Sequence, residues 1–418
     1  MSWLSIVGIG EDGLEGLGEA ARQAIASAQY VFGGARHLEL AAPVITGASY
    51  PWLSPFSASI DAVVALRGKP VCVLASGDPF HYGVGATLAR HVDASQMRVY
   101  PHPSSFSLAA ARLGWPLQEI VTLSLHGRPL DLIRPHLHGG ARILALTSDE
   151  QGPEQIAKLL SESGYGISII TVLEALGGPH ETVRSQVAMQ FDLAGINPLN
   201  ICAISVVALP GARILPFTPG LDDALFDHDG QITKREVRAL TLANLAPRRG
   251  EILWDVGAGS GSVGIEWMLV DPSTRTIAIE ADAGRGDRIL RNALACGVPD
   301  LQLVVGKAPE ALVGLDSPHA IFIGGGGSDP GVIDAAVSAL RPGGRLVANA
   351  VTLQLEALLL ARHADLGGSL TRIDIARADA IGSMTGWRPA MPITQWAWVK
   401  TNNGRPMMSL SNSRSGEA

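Results

Sequence analysis

The sequence predicts two consecutive α/β domains, the second of them a doubly wound sheet. Three observations carry that prediction. Short apolar runs ending in glycines alternate with helical stretches in both halves of the chain. The alternation breaks once, between residues 210 and 229, where Pro210, Gly211, Pro216, Pro219 and Gly220 crowd together ahead of Asp222 and Asp223. It then restarts with a strand that runs into the alternating glycines Gly257, Gly259 and Gly261. Strands alternating with helices are the pattern of an α/β layer, and crowded proline and glycine mark a connection between domains. The expected limits are 1–209 for the first domain, 210–229 for the linker, 230–401 for the second domain and 402–418 for a serine-rich, frayed tail. Two domains also suit the length, since 418 residues exceed what one ordinary core organises.

In the first half, residues 3–7, 70–75, 142–147, 167–173 and 201–207 read as buried strands, because they are apolar runs bounded by turn residues. Residues 16–28, 83–91, 106–113 and 153–163 read as helices between them. In the second half, 233–245 reads as an amphipathic lead-in helix and 251–256 as the opening strand. Strands at 276–279, 302–305, 320–323, 345–348 and 395–400 follow, with a helix at 284–296.

Composition excludes several function classes. With 47% hydrophobic and 17% charged residues, the chain is that of a well-buried globular protein. A formal charge of −7 offers no basic field for nucleic acid. No run approaches the ~18 apolar residues of a membrane helix, and the first ten residues lack the cationic start of a signal peptide. The expectation is a cytoplasmic protein without a membrane partner. Cys72, Cys202 and Cys296 stand apart without Cys-x-x-Cys spacing, so no disulfide framework and no metal site is expected.

Glycines at 257, 259 and 261, directly after a strand, let the backbone turn sharply and expose N–H groups to a ligand at a helix N-terminus. Glu280 ends the next strand, 19 positions after Gly261, where a carboxylate can take both hydroxyls of a ribose. Together these describe an adenosine site. Gly259-x-Gly261-x-x-Gly264 also satisfies the dinucleotide fingerprint, so an NAD(P)-dependent oxidoreductase is the alternative for this half. Three features favour S-adenosyl-L-methionine. Asp255 is placed to reach the amino group of a methionine moiety. Residues 340–346, Leu-Arg-Pro-Gly-Gly-Arg-Leu, form the turn into a fifth strand typical of class I methyltransferases. The lead-in helix carries Thr233-Lys234-Arg235.

The first half has a different logic. Ser76-Gly77-Asp78-Pro79 follows a strand and is trailed by Gly83 and Gly85, and Ser104-Ser105 offers hydroxyls in a second loop. These loops can expose backbone to a ligand at the carboxyl end of a sheet, although Gly-Asp-Pro by itself also reads as a plain turn.

Gly8-Ile9-Gly10, Ser76-Gly77-Asp78-Pro79, Ser104-Ser105, the stretch Ser124-Leu125-His126-Gly127-Arg128 and the stretch 173–178, Leu-Glu-Ala-Leu-Gly-Gly, together resemble the tetrapyrrole methylase family, and within it the carbon-5 precorrin methyltransferases. Residues 230–400, with Thr233 to Arg238, the glycine loop and Gly324-Gly325-Gly326-Gly327, resemble the decarboxylating carbon-15 precorrin methyltransferases. The fused order is similar to two-module precorrin methyltransferases of cobalamin biosynthesis. The resemblance implies a tetrapyrrole methylase-like α/β domain followed by a Rossmann-like class I methyltransferase domain. It also implies two bound equivalents of S-adenosyl-L-methionine. Gly10, Gly77, Asp78, His81, Ser104 and Ser105 would line the first donor site; Thr233, Gly257, Ala258, Gly259, Ser260, Gly261, Glu280 and Ala308 would line the second. One departure stands out: Glu11-Asp12 follows Gly10 where many family members carry proline.

The implied activity is methylation of a precorrin at carbons 5 and 15 with loss of the ring C acetate carboxyl, from precorrin-6B to precorrin-8X. The sulfonium methyl is already activated, so positioning is the main requirement and no dedicated base motif is needed. A polycarboxylate substrate on an acidic protein requires local cations, and the candidates are Lys234, Arg235 and Arg238, with His126 and Arg128 in the first half. His319 and the loop 324–327 are expected at the border of the second pocket. Expected partners are the tetrapyrrole and further copies of the chain. A base-modifying RNA methyltransferase is disfavoured by Gly324-Gly325, where such enzymes often place Asn/Asp-Pro-Pro.

Overall fold

The computed structural model describes residues 2–401; the tail expected at 402–418 lies outside the described residues. The chain forms two compact units. One holds the described residues up to Leu130 together with His136–Arg213, and the other holds Asp131–Pro135 with the described residues from Ile214 onward.

The first unit contains two sheets. Strands β1 (Leu4–Ile9), β2 (Tyr30–Gly33), β3 (Ala48–Pro51), β4 (Val71–Ser76) and β5 (Met97–Tyr100) are all parallel, in the order β3-β2-β4-β1-β5. Leu4 and Ile6 pack on one side with Phe32, Ile60 and Val73, whereas Val7 and Ile9 pack on the other with Ile25, Val31 and Leu74. Both faces are covered, which is why β1 and β4 are continuous apolar runs. The second sheet holds β6 (Val121–Ser124), β7 (Arg142–Leu146), β8 (Ile169–Glu174), β9 (Thr182–Val187) and β10 (Asn200–Ser205), in the order β6-β7-β10-β8-β9. Only the β6–β7 pair in it is parallel. Strands β2, β3, β5, β6 and β9 were not expected. β3 is exposed along its whole length and β9 has no buried residue, and without a buried run there is no apolar signal to read.

In the second unit, β11 (Ile252–Val256), β12 (Arg275–Glu280), β13 (Gln302–Val305), β14 (Ala320–Ile323), β15 (Arg345–Ala350), β16 (Ser369–Ile373) and β19 (Ile393–Val399) form one sheet, ordered β13-β12-β11-β14-β15-β19-β16. β19 runs antiparallel between β15 and β16. A separate hairpin, β17 (Ala376–Ile381) and β18 (Met384–Pro389), is inserted before β19. The strand order reverses between β11 and β14, and such switch points open a ligand crevice at the carboxyl ends of the strands.

Much of the segment expected as a linker belongs to the second core. Leu215, Leu221 and Phe226 are buried with Leu242, Leu253 and Trp267, and the N–H groups of Gly220 and Leu221 donate to Glu266 at 2.6 and 2.9 Å.

Candidate active sites

At the switch point of the second unit, β11 ends and the chain turns through Gly257, Gly259 and Gly261 with φ of 69°, 60° and 75°, before the helix Ser262–Val270 begins. These are left-handed angles that favour glycine. A Cβ on Gly257 would lie 2.5 Å from the Gly325 carbonyl oxygen, so the loops following β11 and β14 touch backbone to backbone. They wall a cavity of about 750 Å³ that Thr233, Lys234, Gly257, Ala258, Gly259, Glu280 and Ala308 all line. Glu280 is fixed there: one carboxylate oxygen accepts the Gly259 N–H at 2.8 Å and the other accepts the Asp282 N–H at 3.0 Å.

The remaining expectations for this site need correction. Ser260 and Gly261 are not on the cavity wall. The Ser260 carbonyl accepts from Asn292 at 2.9 Å and the Gly261 N–H donates to the Ala258 carbonyl at 2.8 Å, so both shape the loop from behind. Asp255 is also off the wall. It is 1% exposed and accepts the Gly264 N–H at 3.0 Å, which leaves it to cap the helix rather than meet an amino group. Burial, opposed by that hydrogen bond and reinforced by the charge of Glu280, pushes its carboxyl up to about 7. Arg238 is not a substrate cation: it is 0% exposed, donates to Glu266 at 2.5 Å, to Asp223 at 3.0 Å and to the Thr233 and Leu221 carbonyls, and has no face toward the cavity. Arg235 points to solvent outside the cavity. His319 sits at the opposite end of the sheet, just before β14, where its Nδ1 accepts the Ile252 N–H at 3.0 Å. The loop residues Gly324, Gly325 and Gly326 do line the cavity.

The wall includes side chains that no local motif announced: Gln231, Arg285, Lys307, Asn349, Arg377 and Met391. The cations come with carboxylates: Lys234 with Asp223, Arg285 with Asp229, Lys307 with Asp329 and Arg377 with Glu236.

The first unit has its own cavity, about 510 Å³, between its two sheets. Gly10, Gly77, His81, Ser104, Ser105 and His126 line it. Gly77 has φ 58°, and a Cβ there would fall 2.9 Å from Ser104 Cα, so the loops after β4 and β5 are in close contact. Ser104 caps the helix Ser105–Leu113, its Oγ accepting the Ser107 N–H at 3.2 Å. Asp78 lies off the wall because its carboxylate accepts the Phe80 N–H at 2.8 Å inside the turn. Arg128 is exposed outside the cavity. Sequence reasoning missed Glu11 and Arg36, which pair on the wall, and His37 beside them. Burial, then the Arg36 charge, lowers His37 to about 4, so it is neutral at pH 7. Tyr82, at φ 59°, stacks on His81 with centroids 5.3 Å apart.

Each cavity suits an adenosine-bearing ligand: glycine backbone crowds one wall and leaves room for a flat base and sugar, and in the second unit Glu280 faces that space. Two unrelated α/β units with one such cavity each define a two-module group-transfer enzyme. Residues 4–190 match the family described as Tetrapyrrole (Corrin/Porphyrin) Methylases, and residues 224–400 match the family described as Precorrin methyltransferase domain. A precorrin-6Y C(5,15)-methyltransferase [decarboxylating] of Sinorhizobium sp is 63% identical over 398 residues, 95% of this chain and 96% of that protein. A protein of the same name from Mycobacterium tuberculosis (strain CDC 1551 / Oshkosh) is 40% identical, covering 94% of this chain and 99% of its own. A cobalt-precorrin-7 C(5)-methyltransferase of Salmonella typhimurium (strain LT2) is 31% identical over 181 residues, 43% of this chain and 89% of its own length. The chain belongs to the family of decarboxylating precorrin-6Y C(5,15)-methyltransferases. It is a C-methyltransferase that uses S-adenosyl-L-methionine, and nothing in these comparisons supports the nicotinamide oxidoreductase alternative. Among the described residues, no helix is long and apolar enough to cross a membrane.

Proposed function

We propose that this chain methylates a precorrin at carbons 5 and 15 and removes the ring C acetate carboxyl, carrying precorrin-6B to precorrin-8X in cobalamin biosynthesis. Carbon 5 is assigned to residues 1–209 and carbon 15 with decarboxylation to 230–401, the segment 210–229 between them being packed onto the second unit from Ile214 onward. The observation that carries the reading is the presence of two separate glycine-walled cavities, one in each unit. The Salmonella relative, named for the carbon-5 reaction alone, matches less than half of this chain, which supports two separable activities.

S-adenosyl-L-methionine supplies an electrophilic methyl group when bound. The chain's part is to hold it: Gly10, Gly77, Ser104 and Ser105 in the first unit; Gly257, Gly259, Ala258, Ala308 and Thr233 in the second, with the Glu280 carboxylate on the ribose hydroxyls. Positioning of two reactants contributes ~7 to 11 kcal/mol of a barrier, so neither unit needs a dedicated base. Lys234, Arg285, Lys307 and Arg377 surround the second cavity although the chain is net acidic, which suits a substrate bearing many carboxylates. His126 serves the same role at the first. The protein acts in the cytoplasm as a homo-oligomer; the exposed Met384 and Trp387 on the hairpin support the second part of that reading.

Equilibrium dialysis with S-adenosylhomocysteine tests the core of this reading, with two bound equivalents per chain expected and one or none refuting it. Mass spectrometry of the product gives the rest: a gain of two methyl groups and a loss of carbon dioxide.

A further inference from the structure

The cavity of the second unit has two unlike ends. Near β12 and β13 it is lined by Glu280, Gly306, Lys307 and Ala308; near β15 and the hairpin it is lined by Val351, Ile373, Ile375 and Met391, with Asn349 and Arg377 as the polar exceptions there. Arg377 is engaged by Glu236. Asn349 is held differently. Its Nδ2 donates to Thr241 Oγ1 at 3.0 Å, and its Oδ1 accepts from Gln395 Nε2 at 2.9 Å. Gln395 also donates to Thr241 at 3.1 Å and accepts from Asn244 at 2.6 Å. Thr241 and Gln395 are 0% and 1% exposed, so this network is built inside the protein and ends at the cavity wall. An amide has two N–H groups and two acceptor lone pairs. One N–H and one lone pair of Asn349 are committed to the network, which fixes the direction of the other N–H.

We propose that Asn349 orients the acetate carboxylate that departs as carbon dioxide, its free N–H binding one carboxylate oxygen at the apolar end of the cavity. The inference rests on the reading of this unit as the decarboxylating one. A guanidinium or ammonium partner would stabilise the carboxylate as an anion and oppose its departure as a neutral molecule, because its full positive charge attracts the carboxylate in addition to hydrogen-bonding it. A neutral amide sets the direction of the C–CO2 bond without that Coulomb attraction. The electrons balance without any further reagent. The pair of the broken C–C bond enters the conjugated tetrapyrrole, a pair leaves it at the meso carbon to form the bond to the methyl group, and the S–CH3 pair stays on sulfur.

The full-length enzyme, supplied with S-adenosyl-L-methionine and precorrin-6B, is the test, with carbon dioxide release measured for wild type, Asn349→Leu and Asn349→Asp. Asn349→Leu is expected to release carbon dioxide ~10- to 100-fold more slowly, while S-adenosylhomocysteine still binds at two sites with unchanged affinity. Asn349→Asp is expected to be inactive near pH 8 and to gain activity as pH falls, since a protonated carboxyl donates a hydrogen bond where the amide did. Lys234, Glu280, Arg285, Lys307, Asp329 and Arg377 share the cavity in both enzymes, so the wild-type pH profile is the control. Release within twofold of wild type by Asn349→Leu overturns the proposal. So does an Asn349→Asp profile that parallels wild type, which would mark a purely structural residue. A wild-type enzyme that methylates but releases no carbon dioxide sinks the underlying reading, and the proposal with it.

Discussion

Arg238 and Glu266 form an ion pair at 2.5 Å from which both side chains are excluded from solvent, and the same carboxylate accepts the N–H groups of Gly220 and Leu221. The pair fastens the segment after Ile214 to the helices Arg235–Leu245 and Ser262–Val270. Arg238→Ala leaves the Glu266 carboxylate buried without its cation, and breaking a buried pair in this way costs ~3–5 kcal/mol. Calorimetric unfolding is expected to show the transition of the second unit at lower temperature. The double change Arg238→Met with Glu266→Gln should recover part of that loss, because it removes both charges while the amide oxygen still accepts a backbone N–H.

Glu280→Ala separates the two donor sites. The carboxylate is expected to contribute one or two hydrogen bonds to a ribose, so its removal should weaken that site ~10- to 100-fold. Calorimetric titration with S-adenosylhomocysteine should fall from two equivalents to one at moderate ligand concentration. An unchanged titration would refute the assigned role of Glu280.

Gly257→Ala and Gly77→Ala act on one site each. The new methyl group at position 257 meets the Gly325 carbonyl at 2.5 Å, and the one at 77 meets Ser104 Cα at 2.9 Å. Both positions also have φ near 60°, where an L side chain costs ~1–2 kcal/mol. Each variant is expected to lose one donor equivalent and keep the other, as read by equilibrium dialysis.

Asp255 gives the second unit a pH dependence. Its carboxyl ionises near 3.8 when unfolded and at about 7 when folded. Between those values the folded state holds a proton that the unfolded state has released, so stability falls as pH rises from 4 to 7 and is level above that. Asp255→Asn removes the ionisation while leaving an acceptor for the Gly264 N–H. Thermal melts should show the variant gaining on wild type at pH 8 and not at pH 4. A gap that does not change with pH would contradict the burial argument.

Both cavities were legible in part because their signals are local. Gly257, Gly259 and Glu280 sit where a strand-turn-helix unit must place them, and Gly77 and Ser104 lie in loops that follow strands. Misreadings arose where a side chain had to choose between pocket and core. Arg238 and Lys234 stand on the same lead-in segment, but Arg238 turns inward because Glu266, 28 positions later, waits there. Glu280 ends β12 and Asp255 lies one residue before the end of β11, yet only Glu280 faces the cavity, while Asp255 is claimed by the N-terminus of the following helix.

The sequence by itself determined the strand-and-glycine punctuation of both units and the carboxylate that closes β12. Periodicity and turn chemistry are properties of a few neighbouring residues, so they survive in one dimension. Tertiary structure alone decided that β19 inserts antiparallel between β15 and β16, and that Gln395 thereby reaches Thr241 and Asn349, 154 and 46 positions away. It also brought Arg377, in the hairpin strand β17, and Met391, just after β18, onto the cavity wall. Those placements follow from which surfaces must be buried together, and side chains that meet only through burial leave no fixed spacing along the chain.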